Sequence, residues 1–369
     1  MNIDGQIKKL NMMPVSKERS MQFRALREYL HFLHRVENIS KEEFADIMNG
    51  VNESNYYIEH FATDEYPRVQ EMLNIENKLN GLYKGVLNYA KHYSLFTEEI
   101  PLVNLNKMRK AVTEFLKFID NDAYRIYNDL INDKLIYEAL LKDAGGVCYN
   151  ISGDKTAIVL KYDTAFFYKA LSLVHEIGHS YYFYLARTNP HLAVTGIAIE
   201  SMSRTFEQLF LLYLKENHII DSNVLAIYER FFLMQQLDII NGCYIVNRLL
   251  SNNQIKPSFY LSEIKPDLSY EDYCKSCIIK PVNEEEFKDY LSYNRNYYAY
   301  GHLLSMVIRE RFSKDEQETR KLIKDIPYLA KVYTASEFID LFSKNEYMNA
   351  NNKNTARVLK KTHYKKQKI

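Results

Sequence analysis

Residues 171–184 of this chain, LSLVHEIGHSYYFY, limit what it can fold into more than any other stretch. Phe166, Phe167, Leu171, Leu173, Val174, Ile177 and Tyr181 to Phe183 make the segment apolar nearly all round, the pattern of a buried helix rather than of a surface one. His175, Glu176 and His179 stand inside it. Burying two imidazoles and a carboxylate without partners costs several kcal/mol. The fold must therefore close around polar groups that satisfy one another or a metal. Histidines four apart project from one helix face and can take two adjacent corners of a zinc tetrahedron. Glu176, next to the first histidine, is placed to reach the attacking water as general base. The bland alternative, two surface histidines and a salt-bridged glutamate, conflicts with the apolar flanks.

A catalytic zinc takes three protein ligands and keeps one position open. Glu200, in the helical and mostly apolar run GIAIESMSRTFEQLF, is the leading third ligand. Ser203 and Glu207 follow at i+3 and i+7 on the same face. Either can orient His175 or His179 by accepting the hydrogen bond of the free ring nitrogen, although Glu207 also reads as a surface carboxylate. His191 is a rival ligand by proximity. It lacks the glycine of the H-E-x-x-H-x-x-G-x-x-H spacing, and Asn189-Pro190 marks its surroundings as a loop.

The rest of the chain frames this helix. Apolar residues recur at three and four over 18–36, 71–93 and 107–141, so the N-terminal part reads as helices. Gly145-Gly146 breaks the pattern. Two short β-like runs follow, 147–151 and 157–162, around the turn Ser152-Gly153-Asp154-Lys155, which predicts an antiparallel hairpin. Asp163 or Thr164 then caps the metal helix. Further helices are expected at 197–217, 223–250, 284–312 and 316–344. The expected fold is mainly α with a small antiparallel β element.

At 369 residues, 47% apolar and 26% charged, the chain has the composition of an ordinary soluble fold and the length for two domains or one two-lobed body. The segmentation is a helical N-terminal lobe over 1–143, a catalytic region over 144–346 and a basic tail over 347–369. Lys353 to Ile369 holds seven basic residues and no acid, leaving 41 basic and 47 acidic residues elsewhere, a net of −6. The tail reads as a solvated extension, with a weak contact to RNA or an acidic surface as the minority reading; no other nucleic-acid contact is expected. There is no signal-like apolar run at the start, and the longest apolar stretches, such as 209–214, fall short of the ~20 residues a membrane helix needs. Four cysteines, Cys148, Cys243, Cys274 and Cys277, are too few for a disulfide framework. The expectation is a cytoplasmic protein with no membrane contact. Cys274 and Cys277 form a CxxC without a second pair at zinc-finger spacing, so it reads as incidental.

HEIGHS followed by Glu200, Ser203 and Glu207 in the pattern E-x-x-S-x-x-x-E resembles the oligoendopeptidase F and thimet oligopeptidase family of zinc peptidases. Gly145-Gly146-Val147-Cys148 and the hairpin ahead of the motif are similar to that family's glycine-led strand segment. The likeness runs over about 140–215, with a weaker echo near 287–305. A near relative in pattern is the Taq-type metallocarboxypeptidase family, whose third-ligand segment reads E-S-x-S-R, as 200–204 does here. The resemblance implies a zincin-like helical clamshell enclosing a substrate channel, Zn²⁺ on His175, His179 and Glu200, and short unfolded peptides as substrates. It also implies that the outer hairpin strand pairs with the substrate backbone. Against that family the chain is short, which implies a reduced N-terminal lobe and a more open site.

The same resemblance implies an oxyanion donor on a late helix. In LSYNRNYYAYGHLLS, Tyr293, Tyr297 and Tyr300 are spaced i, i+4, i+7 on one face. With 31 tyrosines in the chain, such a stripe also arises from packing. The family's histidine ahead of the tyrosines has no counterpart; its place falls on Lys288 or Ser292, and His302 is the available substitute. The expected activity is thus zinc-dependent hydrolysis of short peptides, with a carboxypeptidase or a non-cleaving zinc-stabilised peptide binder as alternatives.

Overall fold

The computed structural model describes residues 3–14, 17–36, 39–53, 104–141, 144–152, 155–162, 166–188, 196–264, 266, 269 and 283–332. The helix expected at 71–93, the hairpin turn, the cap at Asp163 or Thr164, His191, Cys274, Cys277 and the basic tail lie outside them.

Three helices come first: α1 (Ile3–Met12), α2 (Lys17–Arg35) and α3 (Lys41–Glu53). They meet through Leu10, Leu26 and Leu30. The helix expected over 107–141 is instead two helices and a strand, α4 (Leu105–Ile119), α5 (Asn121–Asn132) and β1 (Ile136–Ala139). The break is made by one residue. Asp120 is extended, its N–H donates to the Leu116 carbonyl at 3.0 Å, and its carboxylate accepts from the Asp122 N–H at 2.8 Å. It ends one helix and caps the next without interrupting the apolar periodicity. Lys134, at φ 54°, then turns the chain into Ile136-Tyr137, residues that favour a strand.

β2 (Gly146–Ser152) and β3 (Lys155–Lys161) form the expected antiparallel pair, but β1 adds to the other side of β3 in parallel, giving the order β1-β3-β2. The sheet is therefore mixed. Alternation sorts its two faces. Tyr149, Ile151, Ala157 and Val159 pack under Phe32 of α2, whose ring meets Tyr137 edge-on at 5.1 Å. Ile158 and Leu160 point the other way, into the main core.

That core is built on α6 (Phe166–Thr188), α7 (Gly196–Glu216), α8 (Ser222–Ser251), α10 (Glu284–Phe312) and α11 (Glu316–Val332), with the short α9 (Pro257–Ile264) between α8 and α10. Phe115 of α4 joins Phe206 and Phe210 of α7, and Phe167 of α6 stacks on Tyr228 of α8 at 3.7 Å. α7 is central, buried along almost its whole length from Ile197 to Leu214. Arg309 ties α10 to both neighbours, donating to Gln208 at 2.9 Å and Glu229 at 2.8 Å. α10 starts where capping chemistry dictates: Asn283 accepts from the Glu286 N–H at 3.0 Å, and Glu284, Glu285 and Glu286 fill the first turn. No described helix is long and apolar enough to cross a membrane.

Candidate metal centre

Three close approaches build the site, each at a glycine. A Cβ on Gly178 of α6 would stand 2.6 Å from the Cα of Ser203, so α6 and α7 touch backbone to backbone there. A Cβ on Gly301 would lie 2.7 Å from the Cβ of Glu200, so α10 closes on α7 at that residue. A Cβ on Gly146 would lie 2.9 Å from both Cγ and Oε1 of Glu176, which sets β2 directly against that carboxylate. A larger residue at Gly178 or Gly301 would meet backbone and hold the helices apart, and one at Gly146 would displace the Glu176 side chain.

The crossing brings His175, His179 and Glu200 together, with one possible ligand atom from each lying within 4.8 Å of the others. Nε2 of His179 is 3.4 Å from Oε1 of Glu200, and Nε2 of His175 is 3.7 Å from Oε2. The two rings are nearly perpendicular with centroids 4.6 Å apart. The other nitrogen of His175, Nδ1, faces Oε1 of Glu207 at 3.3 Å. Glu207 is itself gripped by Arg204, whose Nη1 donates to its two oxygens at 2.9 and 3.3 Å. Oε2 of Glu200 and Nδ1 of His179 are buried without a hydrogen-bond partner. Nε2 of each histidine and the carboxylate of Glu200, converging in the interior, are a donor set suited to a divalent cation.

Electrostatics follow from burial. Glu176, 4% exposed, is pushed up to about 7, by desolvation first, with Glu200 and Glu207 adding to the rise. Glu200 is raised by desolvation too. Glu207 resists the same burial: Arg204 and then His175 hold its carboxyl below the usual range. Burial, followed by the charge on His175, keeps His179 well below an ordinary histidine and therefore neutral, the form that ligates metals.

The remaining sequence candidates are dispersed around this centre. The Ser203 hydroxyl donates to the carbonyls of Ile199 and Glu200, both at 3.2 Å, so it is engaged within its own helix. Tyr297 lies on α10 against Gly196 at the start of α7, and Tyr300 is 3% exposed in the core. Tyr293 is on α10 with its side chain outside the described set. His302 is 1% exposed, and its charge is coupled to Arg204 and Glu207. Lys288 is committed to Glu285 at 2.6 Å and Asn253 at 3.1 Å.

Two residues escape a reading by spacing. Arg204 stands i+4 from Glu200 and i−3 from Glu207, an offset that pairs a cation with both acids and could have exposed it. Tyr298 is off the i, i+4, i+7 face, yet its ring lies 4.2 Å from that of Tyr297. It leaves 38% of its surface exposed, while burial and then Glu200 push its hydroxyl up to about 12. Nothing in the sequence separates it from the other tyrosines.

No family profile matches the chain, and no curated protein matches it. Solved structures do resemble its course. A structure assigned as an oligoendopeptidase F from Bacillus anthracis str. Ames superposes with a TM-score of 0.43 at 15% identity, over 92% of this chain and 69% of that one. Another structure assigned as oligoendopeptidase F gives 0.47 at 11% identity, over 96% of this chain and 70% of that one. PZ peptidase A with an inhibitor gives 0.47 at 14% identity, over 92% of this chain, which spans 62% of that enzyme.

Proposed function

We propose that the chain is a zinc-dependent peptidase acting on short unfolded peptides. The observation that carries this reading is the buried convergence of His175, His179 and Glu200 with Glu176 alongside. His175, His179 and Glu200 would hold Zn²⁺, which supplies a Lewis acid that acidifies water and polarises an amide carbonyl. Glu207 orients His175 through Nδ1, and Arg204 holds Glu207. Glu176 takes the proton from the attacking water and returns it to the departing amine. Gly146 makes way for that carboxylate, because a Cβ there would crowd it at 2.9 Å.

α10 supplies the oxyanion donor. Tyr298, whose ring lies 4.2 Å from that of Tyr297, joins Tyr293, Tyr297 and Tyr300 as candidates, and single Tyr-to-Phe replacements rank them by loss of kcat. β2 hydrogen-bonds to β3 on one side, no described strand pairs with its other edge, and Glu176 lies against Gly146 at the start of the strand. A peptide added there as a further strand would present its backbone to the base.

The test is digestion of a mass-tagged peptide library with and without a chelator, repeated with Glu176→Gln. The expected result is internal cleavage that the chelator stops and that Glu176→Gln lowers by at least 10²–10⁴-fold, on the order of a lost general base. The variant should still bind zinc. Full activity in Glu176→Gln would overturn the mechanism, single C-terminal losses would assign a carboxypeptidase, and an intact library would leave a peptide binder.

A further inference from the structure

We propose that Arg204 is a positioning residue of the metal centre, fixing Glu207 so that its carboxylate faces Nδ1 of His175. The inference rests on the zinc reading above. Glu200, Arg204 and Glu207 share one face of α7, each less than one-tenth exposed. Arg204 reaches both oxygens of Glu207 with a single nitrogen, at 2.9 and 3.3 Å, and Glu207 passes the contact on to His175 at 3.3 Å. Its Nε lies 3.9 Å from Oε2 of Glu200 and is buried without a hydrogen-bond partner. The guanidinium therefore faces the ligand carboxylate on one side and the histidine-orienting carboxylate on the other.

Two physical arguments make this a positioning role. Two buried carboxylates two turns apart repel and would rotate away from each other without a cation between them. A cation alone does not fix direction, whereas the rigid guanidinium holds Nη1 toward Glu207 and Nε toward Glu200 at a fixed angle, which the point charge of lysine cannot do. A partner that fixes a metal-bound histidine typically contributes 10–100-fold in metal affinity. Arg204 is one step farther out and acts through Glu207, so the two residues should behave as one unit.

Zinc affinity is measured by competition with a chromophoric chelator for the full chain, Arg204→Met, Arg204→Lys, Glu207→Gln and the double variant Arg204→Met/Glu207→Gln. Arg204→Met and Glu207→Gln are each expected to weaken binding on the order of 10–100-fold, with the double variant no weaker than the worse single one. Arg204→Lys keeps the charge without the fork and should also bind less tightly than the parent. Parental affinity in Arg204→Met or Arg204→Lys, or a double-variant loss equal to the product of the two single losses, would overturn the proposal. Arg204→Met leaves Glu207 buried and unpaired, a charge the double variant removes. If Arg204→Met does not fold, Glu207→Gln and the double variant are compared directly. Equal affinities support the role, and a further loss of about tenfold in the double variant refutes it. A parent chain that takes up no zinc sinks the metal reading itself, whereas parental affinity in a folded Arg204→Met chain sinks only this inference.

Discussion

Gly178 and Gly242 both lie inside long helices, α6 and α8, and occupy opposite kinds of surroundings. A Cβ at Gly178 would stand 2.6 Å from the backbone of Ser203, and one at Gly242 would meet nothing within 4 Å. Around Gly178, α6, α7 and α10 enclose His175, Glu176, Glu200, Arg204, Glu207 and His302, every one of them buried. Around Gly242, α8 shows Ile239 and Ile245 to solvent, 38% and 57% exposed. A helical glycine costs about 1 kcal/mol against alanine wherever it stands. In the first region the close helix contact that only glycine permits offsets that cost. In the second nothing visible does. Local preference is overruled where the fold must hold polar chemistry, and the contrast between the regions marks where that happens.

The sharpest way to break the contrast is Gly178→Ala. The added methyl has backbone, not a flexible side chain, in its way, so α6 and α7 must separate. Overpacking of this kind costs about 1–3 kcal/mol, and a rigid backbone neighbour puts this site at the upper end. The separation also moves His175 and His179 from Glu200. Thermal unfolding of the metal-free chain should show the loss of stability, and chelator competition a loss of zinc affinity of tenfold or more, on the scale of a disturbed ligand shell. A variant with the parental melting temperature would mean that the crossing is loose.

The second prediction uses the polar groups of the same region. His302 is pushed down from 6.5 to about 3, by desolvation first and then by the charge of Arg204. The unfolded chain therefore takes its proton before the folded one does. The stability that His302 allows at neutral pH is lost as pH falls below 6.5 toward 3, at about 1.4 kcal/mol per pH unit. By pH 5 the loss is roughly 2 kcal/mol. Denaturant titrations of the metal-free parent and of His302→Gln at pH 7 and pH 5 isolate this contribution, because the other titrating groups are common to both chains. The parent should lose about 2 kcal/mol more than the variant over that interval. Equal losses would place His302 in contact with water. Among the described residues the exposed face of α8 offers no titrating group buried in this way, and substitutions of Ile239 or Ile245 should leave the pH profile unchanged.

These regions also differ in how much their sequences disclose. The convergence of His175, His179 and Glu200 could be anticipated because polar residues stood out in apolar helices, and the start of α10 because Asn283 and three glutamates announce it. The split at Asp120 could not, since a residue that caps two helices at once leaves the apolar spacing intact on both sides. β1 has four residues, too few for alternation to register, and its parallel partnership with β3 depends on chain that returns later. Ser203 shows a different limit. Its position on the ligand face suggested a role toward the histidines, but the crossing at Gly178 is a backbone contact, and its hydroxyl satisfies carbonyls of α7. Tyr298 was hidden for a related reason: helical spacing finds the face that packs, whereas Tyr298, 38% exposed, lies off that face.

The smallest predicted effect is the one that defines the contrast from the other side. Gly242→Ala adds a methyl to open space on α8, so it introduces no clash. It removes the conformational freedom that glycine gives the unfolded chain and improves helix propensity. The expected gain is about 0.4–1 kcal/mol, read as a higher denaturation midpoint at an unchanged m-value. Zinc affinity and peptide cleavage should stay at parental levels, because no site residue is on that face. A gain without functional change makes Gly242 a position where the helix simply tolerates glycine. A loss of stability would mean that the outward face of α8 is covered against a close neighbour in solution, and Ile239 and Ile245 would then belong to an interface rather than to a solvated surface.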